Sequence, residues 1–336
     1  MSKQTLKSAV IGAGHMGKHH CRIYSELPDT ELVAIVDRDL EKARQFARQY
    51  NSRAVDDVNE IINEVDVASI AVPTVHHLDI AQMLIEKGKA VLIEKPLASN
   101  SQEANKILEL AHKHNVIVQV GHTERFNPVV QSLTRLNVKP RFIETHRISP
   151  FTFRSADIGV VFDMMIHDID IVLSLTRQKI VQVDAVGVAV LGENEDIANA
   201  RITFEDGCVA NLTASRLALK TERKIRVFSP QAYISLDYQK KSGIAIKKDA
   251  NLDIINIARD KGIENLAQLA GSDYANLVKV EPLMITDEEP LKAEIIDFIT
   301  AVRKNVQPQV PVAEGVIAVE TAEKIVEAIG RHNWQL

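Results

Sequence analysis

The sequence predicts an α/β protein. An N-terminal doubly wound parallel sheet is followed by a C-terminal α+β domain with a large open, mostly antiparallel sheet. Three observations predict this. Short apolar runs alternate with helical patterns through residue 120. The first run ends on a glycine-rich turn that opens the first helix. After residue 121 longer strands joined by turns take over, with Asp206-Gly207 as a hairpin signal.

The apolar runs at 8–11, 31–36, 67–71, 90–93 and 116–120 read as strands. They are almost continuously apolar because helices cover both faces of a parallel sheet. Helical periods at 16–25, 40–50, 75–87 and 101–114 separate them, giving βαβ units with right-handed crossovers. A helix at 129–136, a strand at 141–148 and one long apolar helix at 159–175 come next. Strands are then expected at 181–190, 198–204, 208–215, 224–228 and 232–236. The stretch 247–287 is polar and without a clear period; it reads either as an insertion folded over a site or as a surface excursion. Helices resume at 291–304 and 313–329. The expected domains are residues 1–122 and 123–336, the second ending in a helix over about 313–330.

Composition narrows the partners. The chain has 336 residues, 46% hydrophobic and 25% charged, which suits globular domains with sizeable cores. A net charge of -5 carries no basic footprint for nucleic acid. Cys21 and Cys208 are too few for a disulfide scaffold or a cysteine zinc cage, and no H-E-x-x-H motif marks a metal. The polar start "MSKQTLK" and the lack of an apolar run of membrane-spanning length predict a cytoplasmic protein without a membrane partner. The strands "VDAVGVAVLG" and "NARITF" are too apolar for a solvated sheet face, so a homodimer or homotetramer through that face is expected.

The motif "AVIGAGHMGKHH" sets Gly12, Gly14 and Gly17 in G-x-G-x-x-G spacing, between a strand and a helix. In that context Gly12 permits the turn, Gly14 admits a pyrophosphate and Gly17 lets helix and strand pack closely. His15 and Met16 lie inside the same loop. Asp37, at the end of the second strand, is placed for a ribose diol, which favours NAD over NADP; the adjacent Arg38 tempers that choice or stacks on adenine. Pro73 also falls at a strand's carboxyl end, where ligands of such sheets bind.

"AVLIEKPLAS" places Glu94 and Lys95 at another of these strand ends, with Pro96 restricting the backbone of Lys95. Hydride removal from an alcohol needs a group to take the hydroxyl proton. A lysine serves when burial and a cationic cofactor lower its pKa. Glu94 is read as pairing with Lys95 or orienting it. In "GVVFDMMIHDIDIVLSL", Asp163 and His167 are four apart and share a helix face, with Asp170 three beyond. The adjacent pairs His19-His20 and His76-His77 read as surface or structural residues.

Together, "VIGAGHMGKHH", "IEKPLA", "QVGHTERFNP" and "DMMIHDID" resemble the Gfo/Idh/MocA oxidoreductase family. The resemblance implies a Rossmann domain, a second domain whose open sheet serves oligomerisation, and NAD(P)-dependent redox chemistry on sugars or cyclitols. By position it implies that Lys95, Asp163 and His167 are the catalytic residues. "VGHTERFNP" and "DIGVVFDMMIHDIDIVL" look most like the branch acting on C3 of UDP-N-acetylglucosamine, although Val160-Val161 stands where many relatives carry glycine. A diphosphate-linked sugar needs donors. Arg125, Arg147, Arg154 and Arg216 are candidates that read equally as ion-pair residues, and Asn127 joins Arg125 and Arg154 as a substrate contact. An inositol or free-sugar dehydrogenase, and a non-enzymatic NAD-binding regulator, remain as alternatives.

Overall fold

The computed structural model describes residues 5–152, 158–248, 259–260, 262, 268 and 278–332. It divides into two compact units, residues 1–126 with 288–323 and residues 127–287 with 324–336.

The first unit is a six-stranded parallel sheet in the order β3-β2-β1-β4-β5-β6. Its strands are β1 (Leu6–Ile11), β2 (Thr30–Val36), β3 (Arg53–Val55), β4 (Val67–Ile70), β5 (Ala90–Glu94) and β6 (Val118–Gly121). Helices α1 (His15–Glu26), α2 (Leu40–Tyr50), α3 (His77–Ile85) and α4 (Ser101–His114) make the crossovers. The chain winds outward from β1 to β3, then returns to place β4 on the other side of β1. That reversal opens a crevice at the strand ends. Asp39 and Asn100 cap α2 and α4 by accepting from the backbone N–H of Lys42 and Glu103, and Asn51 and Asn115 end them in left-handed conformation.

The second unit begins with α5 (Pro128–Arg135) and β7 (Phe142–Ile148). The expected long helix is one continuous helical segment, with a π-helical turn at Val161–Met165 leading into α6 (Ile166–Thr176). Strands β8 (Ile180–Val188), β9 (Ile197–Phe204), β10 (Val209–Ser215), β11 (Glu222–Phe228), β12 (Ala232–Asp237), β13 (Ser242–Lys248) and β14 (Val278–Pro282) follow. The eight strands run in the order β14-β13-β12-β11-β7-β10-β9-β8. Every pairing is antiparallel except β7 with β10. Gly207, at φ +81°, turns β9 into β10 as the Asp-Gly signal predicts. Strand β14 lies in the stretch that the sequence left without a period; most of the rest of that stretch is outside the described residues.

The C-terminal helices α7 (Pro290–Lys304) and α8 (Val312–Arg331) differ from expectation in their attachment. Residues 288–323 pack with the first unit. Leu291, Ile295, Phe298 and Ile299 form one apolar stripe of α7 and share a core with Val10, Tyr24, Ile35 and Leu92. Gly315 of α8 lies so close to β6 that a Cβ there would stand 2.5 Å from Val120. The heptad-like period shows that α7 has a buried face but not which sheet it covers.

Among the described residues no helix is long and apolar enough to cross a membrane. Phe298 is fully buried in the first unit's core. Phe298→Ala should therefore lower stability by about 3–5 kcal/mol, read as a shifted urea midpoint.

Candidate active site

The first unit gathers its candidate residues at the carboxyl ends of β1, β2, β4 and β5. Gly12 has φ +100°, and a Cβ on it would lie 2.5 Å from the Ala71 oxygen, so both backbone and space require glycine. A Cβ on Gly17 would stand 1.7 Å from the Gly12 oxygen, which sets how tightly α1 closes on the turn. Above Gly14 a Cβ would meet nothing within 4 Å, so this side of the loop is open. Gly14 is also the N-cap of α1, which has no side-chain cap and no acidic residue in its first turn. The first N–H groups and positive dipole end of α1 therefore suit an anion. His15 is exposed and Met16 half-buried in that first turn.

Asp37 ties this loop to β2. Its Oδ2 accepts from the Ala13 N–H at 2.7 Å and its Oδ1 from the Asp39 N–H at 2.9 Å. A cavity of about 560 Å³ opens here, lined by Gly12, Gly14, Asp37, Arg38, Pro73 and His76 among others. Its size, its glycine floor and its carboxylate fit the adenosine and diphosphate portions of a dinucleotide.

Strand β5 is buried throughout and delivers half-buried Lys95 at its end, with a cis Lys95–Pro96 peptide. Glu94, the residue before Lys95, has a buried partner of its own. Its Oε1 meets Nε2 of His20 at 2.8 Å, inside the unit. On the other side of Lys95, His77 faces the Pro96 oxygen through Nδ1 at 3.0 Å and the Val72 oxygen through Nε2 at 3.0 Å. The segment around Lys95 is thus held by two buried histidines. His20 and His77 are 0% and 1% exposed, so of the surface and structural readings the structural one holds for one member of each pair. Adjacent helical residues project about 100° apart, so one of the two turns inward. The signal was present in the helical period. His20 shares its stripe with Gly17 and Tyr24, and His77 with Ala81 and Leu84.

In the second unit, the π turn and α6 carry Asp163 and His167, both half-buried. The switch from π to α winding changes which residues align, so α-helical spacing alone does not describe their shared face. The segment is pinned at both ends. At its start, the N–H groups of Val160 and Val161 donate to the backbone oxygen and to Oε1 of Glu195. A Cβ on Gly159 would lie 2.2 Å from that carboxylate. Farther along, Arg147 of β7 grips Asp168 through Nε at 2.9 Å and a terminal nitrogen at 2.8 Å. Arg216 joins Asp196 at 2.7 Å and the Ile158 oxygen at 2.6 Å. Burial works to raise the Asp196 carboxyl, but the amides of Leu191 and Val190 and the Arg216 guanidinium hold it below the usual range.

Three of the four arginines considered for a diphosphate are therefore committed to carboxylates of their own unit. Arg147 and Arg216 are each 3% exposed. Arg125, 8% exposed, pairs with Glu314. Asn127 caps α5 by accepting from the Val129 N–H at 3.0 Å. Arg154 lies outside the described residues. Asp168, which the sequence reading passed over for Asp170, is the carboxylate that fixes α6. Among the described residues no group of three or more His, Cys, Asp or Glu could hold a metal ion.

Burial lowers the proton affinity of His77 below that of an ordinary imidazole, opposed by the Val72 and Leu97 carbonyls. A group that binds its proton less readily when folded stabilises fully above its unfolded value, near 6.5, and that contribution is lost as pH falls below it. Denaturation midpoints should therefore drop from pH 7 to pH 5, and His77→Gln should flatten that slope.

Residues 6–122 match the Gfo/Idh/MocA oxidoreductase family with its NAD-binding Rossmann fold, and residues 138–235 match the family's C-terminal domain. The UDP-N-acetylglucosamine 3-dehydrogenase of Acidithiobacillus ferrooxidans is 33% identical over 88% of each chain. A solved structure of that enzyme superposes with a TM-score of 0.86, at 30% identity and 97% coverage of both chains. The scyllo-inositol 2-dehydrogenase (NAD(+)) of Bacillus subtilis is 28% identical over 63% of this chain and 67% of its own.

Proposed function

The chain belongs to the Gfo/Idh/MocA oxidoreductase family, and from that premise we propose that it is an NAD-dependent dehydrogenase of a sugar secondary alcohol, with C3 of UDP-N-acetylglucosamine as the position oxidised. One observation carries the reading. The glycine cradle with its uncapped helix stands at the end of β1, and Lys95 at the end of β5, with only β4 between those strands.

When bound, NAD+ supplies the hydride acceptor. The backbone at Gly12 and Gly14 and the first N–H groups of α1 receive the diphosphate. Asp37 receives the ribose diol and repels a 2′-phosphate, so NAD is used in preference to NADP. Nζ of Lys95 takes the hydroxyl proton as the carbon gives up its hydride. Asp163 and His167 orient the hydroxyl, and His167 is the second candidate for the proton. A cytoplasmic setting belongs to this reading, since Cys21 and Cys208 are both buried and free. So does a homodimer or homotetramer through the second unit's sheet, where Val186, Val188 and Ile197 stand 36–40% exposed.

A second reading, an inositol or free-sugar dehydrogenase, is favoured by the commitment of Arg125, Arg147 and Arg216 to carboxylates. A substrate without a diphosphate does not need them.

Incubation with NAD+ and hydrazine, which traps a ketone product, separates the two. NADH formed with UDP-N-acetylglucosamine and not with inositols supports the first reading, and the reverse supports the second. Lys95→Ala should lose about 10²–10⁴-fold in turnover while NADH still binds; near-wild-type turnover removes Lys95 from the chemistry. Light scattering at micromolar concentration should give a dimer or tetramer, and a monodisperse monomer would refute the assembly.

A further inference from the structure

A buried chain of hydrogen bonds runs from α1 through β4 to the residue before Lys95. The Tyr24 hydroxyl lies 2.9 Å from Oγ of Ser69, Oγ lies 3.0 Å from Nδ1 of His20, and Nε2 of His20 lies 2.8 Å from Oε1 of Glu94. Tyr24, Ser69 and His20 are fully buried and Glu94 is 7% exposed. One assignment of protons satisfies every link. Tyr24 donates to Ser69, Ser69 donates to Nδ1 of His20, and Nε2–H donates to the Glu94 carboxylate. Space is kept for that carboxylate: a Cβ on Gly121 of the adjacent strand would stand 3.1 Å from Glu94 Oε2.

The surroundings give the chain its meaning. Tyr24 belongs to one core with Val10, Cys21, Ile23 and Leu92, all apolar and fully buried, and the buried Glu294 carboxylate also acts on its phenol. Folding alone favours apolar residues in such a core, because a buried ionic or polar set seldom improves on well-packed hydrocarbon. At the far end of the chain is Tyr24, whose phenol burial pushes up above its usual range. What the chain does is fix the direction of Glu94, and so the backbone that leads into Lys95. His77 fixes the backbone just beyond, at Pro96 and Leu97.

We propose that His20, with Ser69 and Tyr24 behind it, is a positioning residue for Lys95, acting through Glu94. The inference rests on the role proposed above for Lys95. Its test uses the full chain and two readouts. The first is turnover set against NADH affinity. The second, which needs no substrate, is acetylation of Lys95 by acetic anhydride, measured by mass spectrometry relative to the other lysines. His20→Phe removes the donor to Glu94. It should lower turnover by up to about 10²-fold, the scale of an ångström-sized misplacement, with NADH affinity held and Lys95 labelling raised. His20→Gln keeps one donor and one acceptor and should recover most of the turnover and the wild-type labelling. A merely structural role predicts that stability and NADH affinity fall together, with Gln no better than Phe, and that result overturns the inference. If His20→Phe does not fold, Ser69→Ala breaks the chain one link back; wild-type turnover and labelling in that variant overturn the inference as well. Lys95→Ala beside them separates the two failures. Retained turnover there sinks the proposed chemistry, whereas lost turnover there with His20→Phe unchanged sinks this inference alone.

Discussion

A carboxylate taken out of water has to be met by donors, and in both units that requirement fixes where a segment with candidate site residues sits. In the first unit the carboxylate is Glu94, met by His20 at 2.8 Å, and the segment is the one carrying Lys95. In the second, Asp168 and Asp196 are met by Arg147 and Arg216, and the segment is the π turn with α6 that carries Asp163 and His167. The two solutions differ in kind. An imidazole meets its carboxylate through a single ring nitrogen, whereas each guanidinium neutralises a carboxylate outright and supplies several fixed donors.

Such pairs are poor sources of net stability, because the loss of hydration offsets most of the attraction. Stability comes instead from ordinary packing, such as the α7 stripe of Leu291, Ile295, Phe298 and Ile299 against the first unit's core. What the polar pairs add is direction. An apolar contact tolerates sliding by an ångström, while a bidentate Arg147–Asp168 bridge or a three-link chain ending on Glu94 loses its bonds over the same distance. Segments that must present a side chain at a set position are therefore held by the interaction with the narrower tolerance.

The same distinction decides what could be read without coordinates. Gly12, Gly14, Gly17 and Asp37 were legible because their spacing is dictated by backbone geometry within one strand–turn–helix unit. Lys95 was legible because a buried strand ends on it. His20 and His77 were hidden by their neighbours, since a pair of adjacent histidines gives no hint which one turns inward unless the helical stripe is followed through Tyr24 and Leu84. The π turn leaves no periodic trace at all, because five residues are too few to show a period. Attachment of α7 to the first unit, and pairing of Arg147 with Asp168 across 21 residues, are tertiary facts with no local signature.

The committed arginines bear on substrate choice in a way that sequence could not show. Turning Arg147 or Arg216 toward a substrate phosphate would leave Asp168 or Asp196 as an uncompensated buried charge, at about 3–5 kcal/mol. A charge-assisted contact to phosphate returns only about 1.5–3 kcal/mol, so the exchange is unfavourable for either residue. These two arginines therefore stay with the fold whatever the substrate is. A preference for a nucleotide sugar over a cyclitol has to reside in other donors, which leave the helix that carries Asp163 and His167 undisturbed.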